Sequence, residues 1–294
     1  MLKPIVFLVV VFAFISNASA FSLAPYKDSL FQYPDVIDQS ADGSLVVVDY
    51  QLERDLRQRD SEPERRVRGD YVSYKPRWSE RDTSITVNGV RLPHIRVGTA
   101  NTETAIITLY LHGKGGNRHQ GADDQTFGGN FNRIKNLMLR NNGVYLSPDM
   151  TNFEERGHWE IGSLIAAYKQ EAPNAAVYVA CGSMGSLLCY RLADNAVTAA
   201  MIDGLLFLGG ARDDALVSSA AVKRKVPIFF GHGSADQVYP WTRQHGLFLA
   251  LQKKHRQYPV RFALFQTGSH GTPIRMLDWR QTLNWMLTNR PTSQ

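Results

Sequence analysis

Short apolar runs alternate with runs of helical spacing through most of this chain, and this alternation restricts the possible folds more than any other feature. The apolar runs cover 104–111, 144–147, 176–180, 202–208, 226–230 and 260–266, and the helical patterns cover 131–140, 160–171, 187–192, 242–254 and 279–287. Continuous apolar strands separated by helices are typical of parallel strands covered on both faces. The sequence therefore predicts an α/β fold with a doubly wound, mostly parallel sheet.

The run over 176–180 leads into Cys181-Gly182-Ser183-Met184-Gly185, which reads as a sharp turn from a strand into a helix. A serine at the apex of such a turn is exposed, and the residues two positions away on either side must be small because strand and helix approach closely. Those residues are Cys181 and Gly185, so a cysteine stands where glycine is usual. Taken alone, the pattern also fits an ordinary turn rich in small residues.

Polar residues follow three other predicted strands directly. These are the glycine-rich loop His112–Asn117, Asp236 in Gly231-His232-Gly233-Ser234-Ala235-Asp236, and His270 in Gly268-Ser269-His270-Gly271. In open parallel sheets, ligands bind beyond the carboxyl ends of the strands. The chain order Ser183, Asp236, His270 fits a nucleophile, a carboxylate that orients an imidazole, and a histidine base. The glycine-rich loop can supply backbone N–H groups to a developing oxyanion.

With these motifs the chain resembles the α/β-hydrolase superfamily, within it the carboxylesterase, phospholipase and acyl-thioesterase-like branch, over roughly 104–287. The resemblance implies that Ser183 is the nucleophile, His270 the general base and Asp236 the orienting acid. It implies that the backbone N–H groups of Lys114 and Met184 form the oxyanion hole. Some relatives place the acid after an earlier strand, which leaves Asp213 and Asp214 as alternatives to Asp236.

This resemblance implies a serine esterase that cleaves carboxylic esters, possible substrates being phospholipids or lysophospholipids, through an acyl-enzyme and without a cofactor. Only a short segment separates the strand ending at Leu208 from the one starting at Val226, so we expect no large cap domain and an open site. We expect the loops over 117–130 and 150–159 to form its rim, with Tyr71, Tyr74 and Trp78 as further candidates. The alternatives are an acyltransferase of the same chemistry and a non-catalytic envelope binding protein. The usual zinc and calcium motifs do not occur, so no metal site is predicted.

Residues 1–20 have the pattern of a secretory signal peptide. A basic start with Lys3 precedes an apolar run over 5–15 and the small residues Ala18-Ser19-Ala20. We therefore expect export to the periplasm or the extracellular medium, with cleavage near Ala20. An uncleaved anchor is the alternative.

The residues between the leader and the hydrolase-like region are irregular in pattern. We expect an N-terminal extension over 21–81, with one strand over 45–50, and the α/β-hydrolase domain over 82–294. A β-hairpin is expected around Asn88-Gly89. The mixed charge run over 51–70 is typical of an exposed loop or a solvated helix face.

Charge and cysteine content restrict the partners and the redox state. The formal net charge is +6, which favours an anionic membrane surface only weakly, and a solvated, mildly basic surface with no specific partner is the preferred interpretation. Export together with the lack of a nucleic-acid-binding module argues against nucleic acid. The only cysteines are Cys181 and Cys189. A cysteine ending a strand and one in the helix behind it should be too far apart to pair, so we expect two buried free thiols.

Overall fold

A computed structural model describes residues 21–291, so the predicted leader over 1–20 lies outside the described residues. Twelve strands occur in this part of the chain. They are β1 Val36–Gln39, β2 Leu45–Val48, β3 Asp60–Glu62, β4 Arg66–Val67, β5 Glu80–Val87, β6 Val90–Val97, β7 Ile106–Leu111, β8 Gly143–Pro148, β9 Ala176–Gly182, β10 Gly204–Leu208, β11 Ile228–Gly233 and β12 Val260–Phe265. Strands β3 and β4 form a small antiparallel pair, and the other ten form one sheet.

The large sheet is parallel at its centre and antiparallel at both ends. Its order is β1, β2, β12, β11, β10, β9, β7, β8, β6, β5. Neighbours from β2 through β8 pair in parallel, whereas β1 pairs with β2, β8 with β6 and β6 with β5 in antiparallel fashion. All residues of β7 to β11 are buried, as expected for central strands covered on both faces. The predicted doubly wound, mostly parallel sheet is confirmed.

Helices cover the two faces of this sheet and enclose one apolar core on each. They are α1 Asp28–Phe31, α2 Asn130–Arg140, α3 Glu155–Glu171, α4 Ser186–Asp194, α5 Ala196–Met201, α6 Ala220–Lys223, α7 Trp241–Lys254, α8 Thr272–Met276 and α9 Trp279–Thr288. Single 3₁₀ turns occur at Gly69–Tyr71, Lys75–Trp78, Gln120–Ala122, Phe127–Gly129, Ser183–Gly185 and Asp214–Ser218, and a π-helical turn at Glu53–Arg57. None of the helices within 21–291 combines the length and apolarity that a bilayer crossing needs.

Most predicted elements lie where the sequence pattern places them, and α3 shows how a boundary is missed. The helix starts at Glu155, five residues before the predicted start. Its first turn has no apolar periodicity, but Arg156 Nε lies 2.9 Å from Glu160 Oε1 one turn later, which stabilises the added turn. The predicted hairpin is confirmed, with Asn88 and Gly89 at positive φ between β5 and β6. Only one 3₁₀ turn and α6 lie between β10 and β11, so the expected absence of a large cap at this point agrees with the structure.

The N-terminal extension joins the large sheet, because β2 pairs with β12 and β1 adds an edge strand that the sequence pattern did not predict. The division expected between residues 81 and 82 falls inside β5. The prediction that the charge run over 51–70 is solvent-exposed is wrong for Asp55, Arg59 and Asp60, which are buried. Each has partners far along the chain or in the folded extension, which a local charge pattern does not show.

The buried charges of the extension hold it to the C-terminal part of the chain. Asp60 accepts hydrogen bonds from both terminal nitrogens of Arg275 in α8, at 2.9 and 2.7 Å. Arg59 donates to the carbonyl of Gly128, and its guanidinium carbon lies 4.6 Å from the ring centres of both Phe31 and Tyr71. Burial, with the nearby charge of Arg275, lowers the pKa of Arg59 to about 9. Paired in this way, the extension and α8 form one packed unit.

The prediction of two free thiols is wrong, because Cys181 and Cys189 form a disulfide. Their Cα atoms are 6.3 Å apart, within the range that a disulfide spans. The reason is that α4 begins directly after the turn at Ser183–Gly185 and runs back along β9. Cys189 Sγ accordingly lies 3.9 Å from the carbonyl oxygen of Val179 in that strand. The disulfide links the end of β9 to α4.

We predict that loss of this disulfide lowers the free energy of unfolding by about 2–3 kcal/mol, because the unfolded chain regains the freedom that the closed loop had removed. Urea unfolding of Cys189→Ser against the wild type measures this. Thiol titration of the denatured protein should find no free thiol before reduction and both cysteines after it. Two thiols titrating without reductant would contradict the bond.

Candidate active site

The turn that follows β9 holds Ser183 in a backbone conformation that few non-glycine residues adopt. Ser183 has φ 51° and lies in the 3₁₀ turn that joins β9 to α4. A left-handed backbone at such a residue costs about 1–3 kcal/mol and persists only when the surroundings enforce it. The structure thus supports the predicted sharp turn over an ordinary small-residue turn.

Two close approaches enforce this conformation. A Cβ at Gly185 would lie 2.6 Å from the carbonyl oxygen of Leu111 at the end of β7, and one at Gly113 would lie 2.8 Å from Ser183 Cβ. The start of α4 therefore packs directly against the end of β7, and the glycine-rich loop passes over the serine. This is the crowding that predicted a small residue at position 185.

The structure brings the three predicted side chains together beyond the ends of β9, β11 and β12. Ser183 Oγ lies 2.8 Å from His270 Nε2, and His270 Nδ1 lies 2.8 Å from Asp236 Oδ2. Because a carboxylate only accepts, Nδ1–H donates to Asp236, and the unprotonated Nε2 can accept the Ser183 hydroxyl proton. This arrangement can deprotonate an alcohol while keeping the resulting imidazolium beside a buried carboxylate.

Asp236 is held as a carboxylate by four hydrogen-bond donors. Its Oδ1 accepts from the backbone N–H of Val238 at 2.8 Å and of Tyr239 at 3.1 Å, and its Oδ2 accepts from His270 and His232. Burial would raise the pKa of Asp236, but hydrogen bonds from His232, His270 and the two backbone N–H groups outweigh it and lower the pKa well below its ordinary value. The carboxylate is therefore fixed in position and ionised at neutral pH.

His232 is a fully buried neighbour of the orienting carboxylate. Its Nε2 lies 2.9 Å from the carbonyl oxygen of Tyr239 and 3.1 Å from Asp236 Oδ2, and its Nδ1 lies 3.0 Å from Gln244 Oε1. The His-Gly-x-x-Asp spacing places the two side chains side by side, one at the end of β11 and one in the turn after it. The imidazole thus helps to fix the Asp236 oxygen that His270 also contacts.

The alternative acids do not lie in this cluster. Asp213 accepts from the backbone N–H of Ala215 and caps the following 3₁₀ turn, and Asp214 pairs with Arg212. Both carboxylates are exposed and bind groups two residues away along the chain, whereas Asp236 contacts His270. The geometry favours Asp236 as the residue that orients the imidazole.

The loop predicted to supply oxyanion donors lies against the nucleophile. A Cβ at Gly113 would be 3.3 Å from Ser183 Oγ, so the next peptide, with the N–H of Lys114, starts within a few ångströms of that oxygen. The Gly113 carbonyl accepts from the N–H of Gly116 and lies 2.8 Å from His112 Nδ1, which folds the loop into a tight turn. Met184 follows Ser183 at the start of the turn. Lys114 and Met184, the two predicted oxyanion donors, are therefore neighbours of the serine.

Comparisons with known proteins identify the fold. Three solved structures are similar: a thermostable esterase (16% identity, TM-score 0.57), a putative α/β-hydrolase from Agrobacterium tumefaciens (15%, 0.57) and an esterase from Pyrococcus furiosus (15%, 0.54). They cover 72%, 72% and 76% of this chain, which in turn covers 63%, 100% and 98% of theirs. No protein-family model and no curated protein sequence matches the chain. At these identities the likeness shows the fold, and the predicted α/β-hydrolase fold is confirmed.

The pKa of Asp236 makes a prediction about stability. Because the folded-state pKa is depressed, the ionised carboxylate stabilises the fold above its unfolded pKa of roughly 3.9, and this contribution is lost as pH falls toward the folded-state value. We therefore expect Asp236→Asn to be less stable than the wild type at pH 7 and to lose less stability on acidification. Urea unfolding between pH 7 and pH 3 measures this, with the exposed Asp214→Asn as the control. Equal acid dependence of Asp236→Asn and wild type would contradict it.

Proposed function

We propose that this chain, which has the α/β-hydrolase fold, is a serine-dependent hydrolase of carboxylic esters. The observation that carries the proposal is the continuous hydrogen-bond path from Ser183 Oγ through His270 to Asp236, with 2.8 Å at each step. A fold alone does not define an activity, so the proposal depends on this site. The left-handed backbone at Ser183, which exposes the hydroxyl beside the glycine-rich loop, supports it further.

In the proposed acylation step, Ser183 Oγ attacks the ester carbonyl carbon as His270 Nε2 takes the hydroxyl proton. The carbonyl oxygen becomes an oxyanion that the N–H groups of Lys114 and Met184 stabilise. Collapse of this tetrahedral species breaks the bond between the carbonyl carbon and the alcohol oxygen. The alcohol leaves with the proton from His270, and the acyl group stays on Ser183.

In deacylation, water takes the place of the alcohol. His270 removes a proton from water, which attacks the acyl carbon, and the same oxyanion donors stabilise the second tetrahedral species. Its collapse releases the carboxylic acid and returns the proton to Ser183. Throughout, Asp236 keeps Nδ1 of the imidazole protonated and stabilises the imidazolium by its charge.

We also propose that the protein acts outside the cytoplasm, in the periplasm or the external medium. Two independent features support this: the signal-peptide pattern of residues 1–20, and the disulfide between Cys181 and Cys189. Disulfides of this kind persist in oxidising compartments and are rare where thiols are kept reduced.

We predict that Ser183→Ala lowers kcat/KM for p-nitrophenyl acetate at least about 10³-fold, because acyl-enzyme formation is lost and only the oxyanion site and binding remain. Initial rates of purified variants measure this. Ser163→Ala, a half-buried serine of α3 outside the site, is the matched control and should keep wild-type activity. Undiminished activity of Ser183→Ala would favour the alternative of a hydrolase fold kept for binding alone.

A further inference from the structure

A cavity of about 550 Å³ adjoins the loop that carries His270, and it is built from three parts of the chain. Ser269 and Gly271, the neighbours of His270, form one side, and the glycine-rich loop at Gly115–Gly116 forms the second. The N-terminal extension forms the third side through Tyr50, Leu56 and Glu64. The aromatic residues Tyr71, Tyr74 and Trp78, which the sequence pattern placed at the rim, are not part of this wall.

The position of the cavity indicates which part of an ester it would hold. In the proposed mechanism His270 delivers its proton to the departing alcohol, so the alcohol oxygen must lie within hydrogen-bond reach of His270 Nε2. Both sequence neighbours of His270, the residue that would protonate the alcohol, line the cavity, and this is the ground for assigning the alcohol part of the ester to it. Its volume falls within the roughly 300–1,000 Å³ typical of small-molecule sites.

Negative charges outnumber positive charges around this cavity. Arg275 is the only lysine or arginine among the described residues that line it, and its charge is offset by the buried Asp60 carboxylate. Two further carboxylates, Glu64 and Asp123, line the cavity without a lysine or arginine partner in the described part of the chain. An alcohol that carries a phosphate or carboxylate would therefore meet like charge here.

The remaining lining is rich in hydrogen-bonding groups. Asn117, Gln120 and Ser269 contribute amide and hydroxyl groups, and the Phe127 ring contributes an apolar face. The Asp123 carboxylate already accepts two backbone N–H groups through Oδ1, at Gln125 and Thr126, which holds it in place. Carboxylates, amides and one ring are the groups that bind an uncharged molecule with several hydroxyls.

The backbone of Glu64 is anchored by a buried carboxylate, and its side chain is exposed. Its backbone N–H donates to Asp60 Oδ2 at 2.8 Å, and the same carboxylate holds Arg275 of α8. Glu64 also has φ 62°, a left-handed backbone enforced by this anchored turn. The backbone that carries this carboxylate is thereby held to the helix that follows His270.

We propose that this cavity binds the alcohol part of the ester, that it selects an uncharged polyhydroxylated alcohol such as a sugar, and that Glu64 accepts hydrogen bonds from its hydroxyls. This inference rests on the proposed ester hydrolysis and names the substrate class for that site. It makes the N-terminal extension a part of the substrate site, and Glu64 a specificity residue supplied by it.

The test compares acetate esters that share the acyl group and differ in the alcohol. The probes are an O-acetylated methyl glucoside, its phosphorylated analogue and butyl acetate, with p-nitrophenyl acetate as the reference for the chemistry. We expect kcat/KM for the acetylated glucoside to exceed that for each of the other two alcohols at least roughly tenfold, since hydrogen bonds to a charged acceptor are among the stronger ones.

The variant Glu64→Gln should raise KM for the acetylated glucoside and reduce its advantage over the phosphorylated analogue by roughly three- to tenfold. The effect is expressed as the ratio of kcat/KM for the acetylated glucoside to kcat/KM for p-nitrophenyl acetate, so that any change in the reacting groups themselves cancels. Glu62→Gln, an exposed carboxylate of β3 outside the cavity, is the matched control and should change none of these values.

Equal or better hydrolysis of the phosphorylated analogue or of butyl acetate by the wild type would overturn the proposal, as would a Glu64→Gln profile identical to that of Glu62→Gln. Failure of the proposed function has a different signature, because the wild type would then not hydrolyse p-nitrophenyl acetate either.

Discussion

The close contact between the start of α4 and the end of β7 is the constraint on which the rest of this site depends. With no side chain at Gly185, the helix can approach the carbonyl of Leu111, and with none at Gly113 the glycine-rich loop can cross Ser183. The serine is left at φ 51°, its hydroxyl directed away from the core toward His270. The disulfide between Cys181 and Cys189 holds the same strand to the same helix, so strand, turn and helix are fixed on both sides of the nucleophile.

Much of the fold and of the catalytic cluster could be predicted because both follow from the local pattern and chain order. Buried central strands are continuous apolar runs, and parallel strands bring their carboxyl ends to one edge of the sheet. A serine, an aspartate and a histidine that each follow such a strand must therefore lie near one another, whatever the lengths of the connections. No long-range information is needed for this expectation, and in the structure two contacts of 2.8 Å link Ser183, His270 and Asp236.

What the sequence pattern missed depends on contacts between distant parts of the chain. Asp60 and Arg275 pair across more than two hundred residues, and each alone looks like a surface charge. The same holds for Arg59, which lies against two aromatic rings that only the folded extension brings together. The disulfide was missed for a geometric reason, because the spacing of Cys181 and Cys189 does not reveal how closely α4 packs against β9. That Glu64 lines the cavity likewise follows only from these long-range contacts.

Covalent labelling of the folded protein tests the central claim, that Ser183 is an activated nucleophile, most directly. The mature wild-type protein is treated with a fluorophosphonate probe, reduced, alkylated and digested, and the modified residue is identified by tandem mass spectrometry. We expect a single label on the oxygen of Ser183. Unfolding the protein before treatment should abolish this label, because the hydrogen bond to His270 is then absent. No label on the folded protein, or a label on another serine such as Ser186 or Ser269, would contradict it.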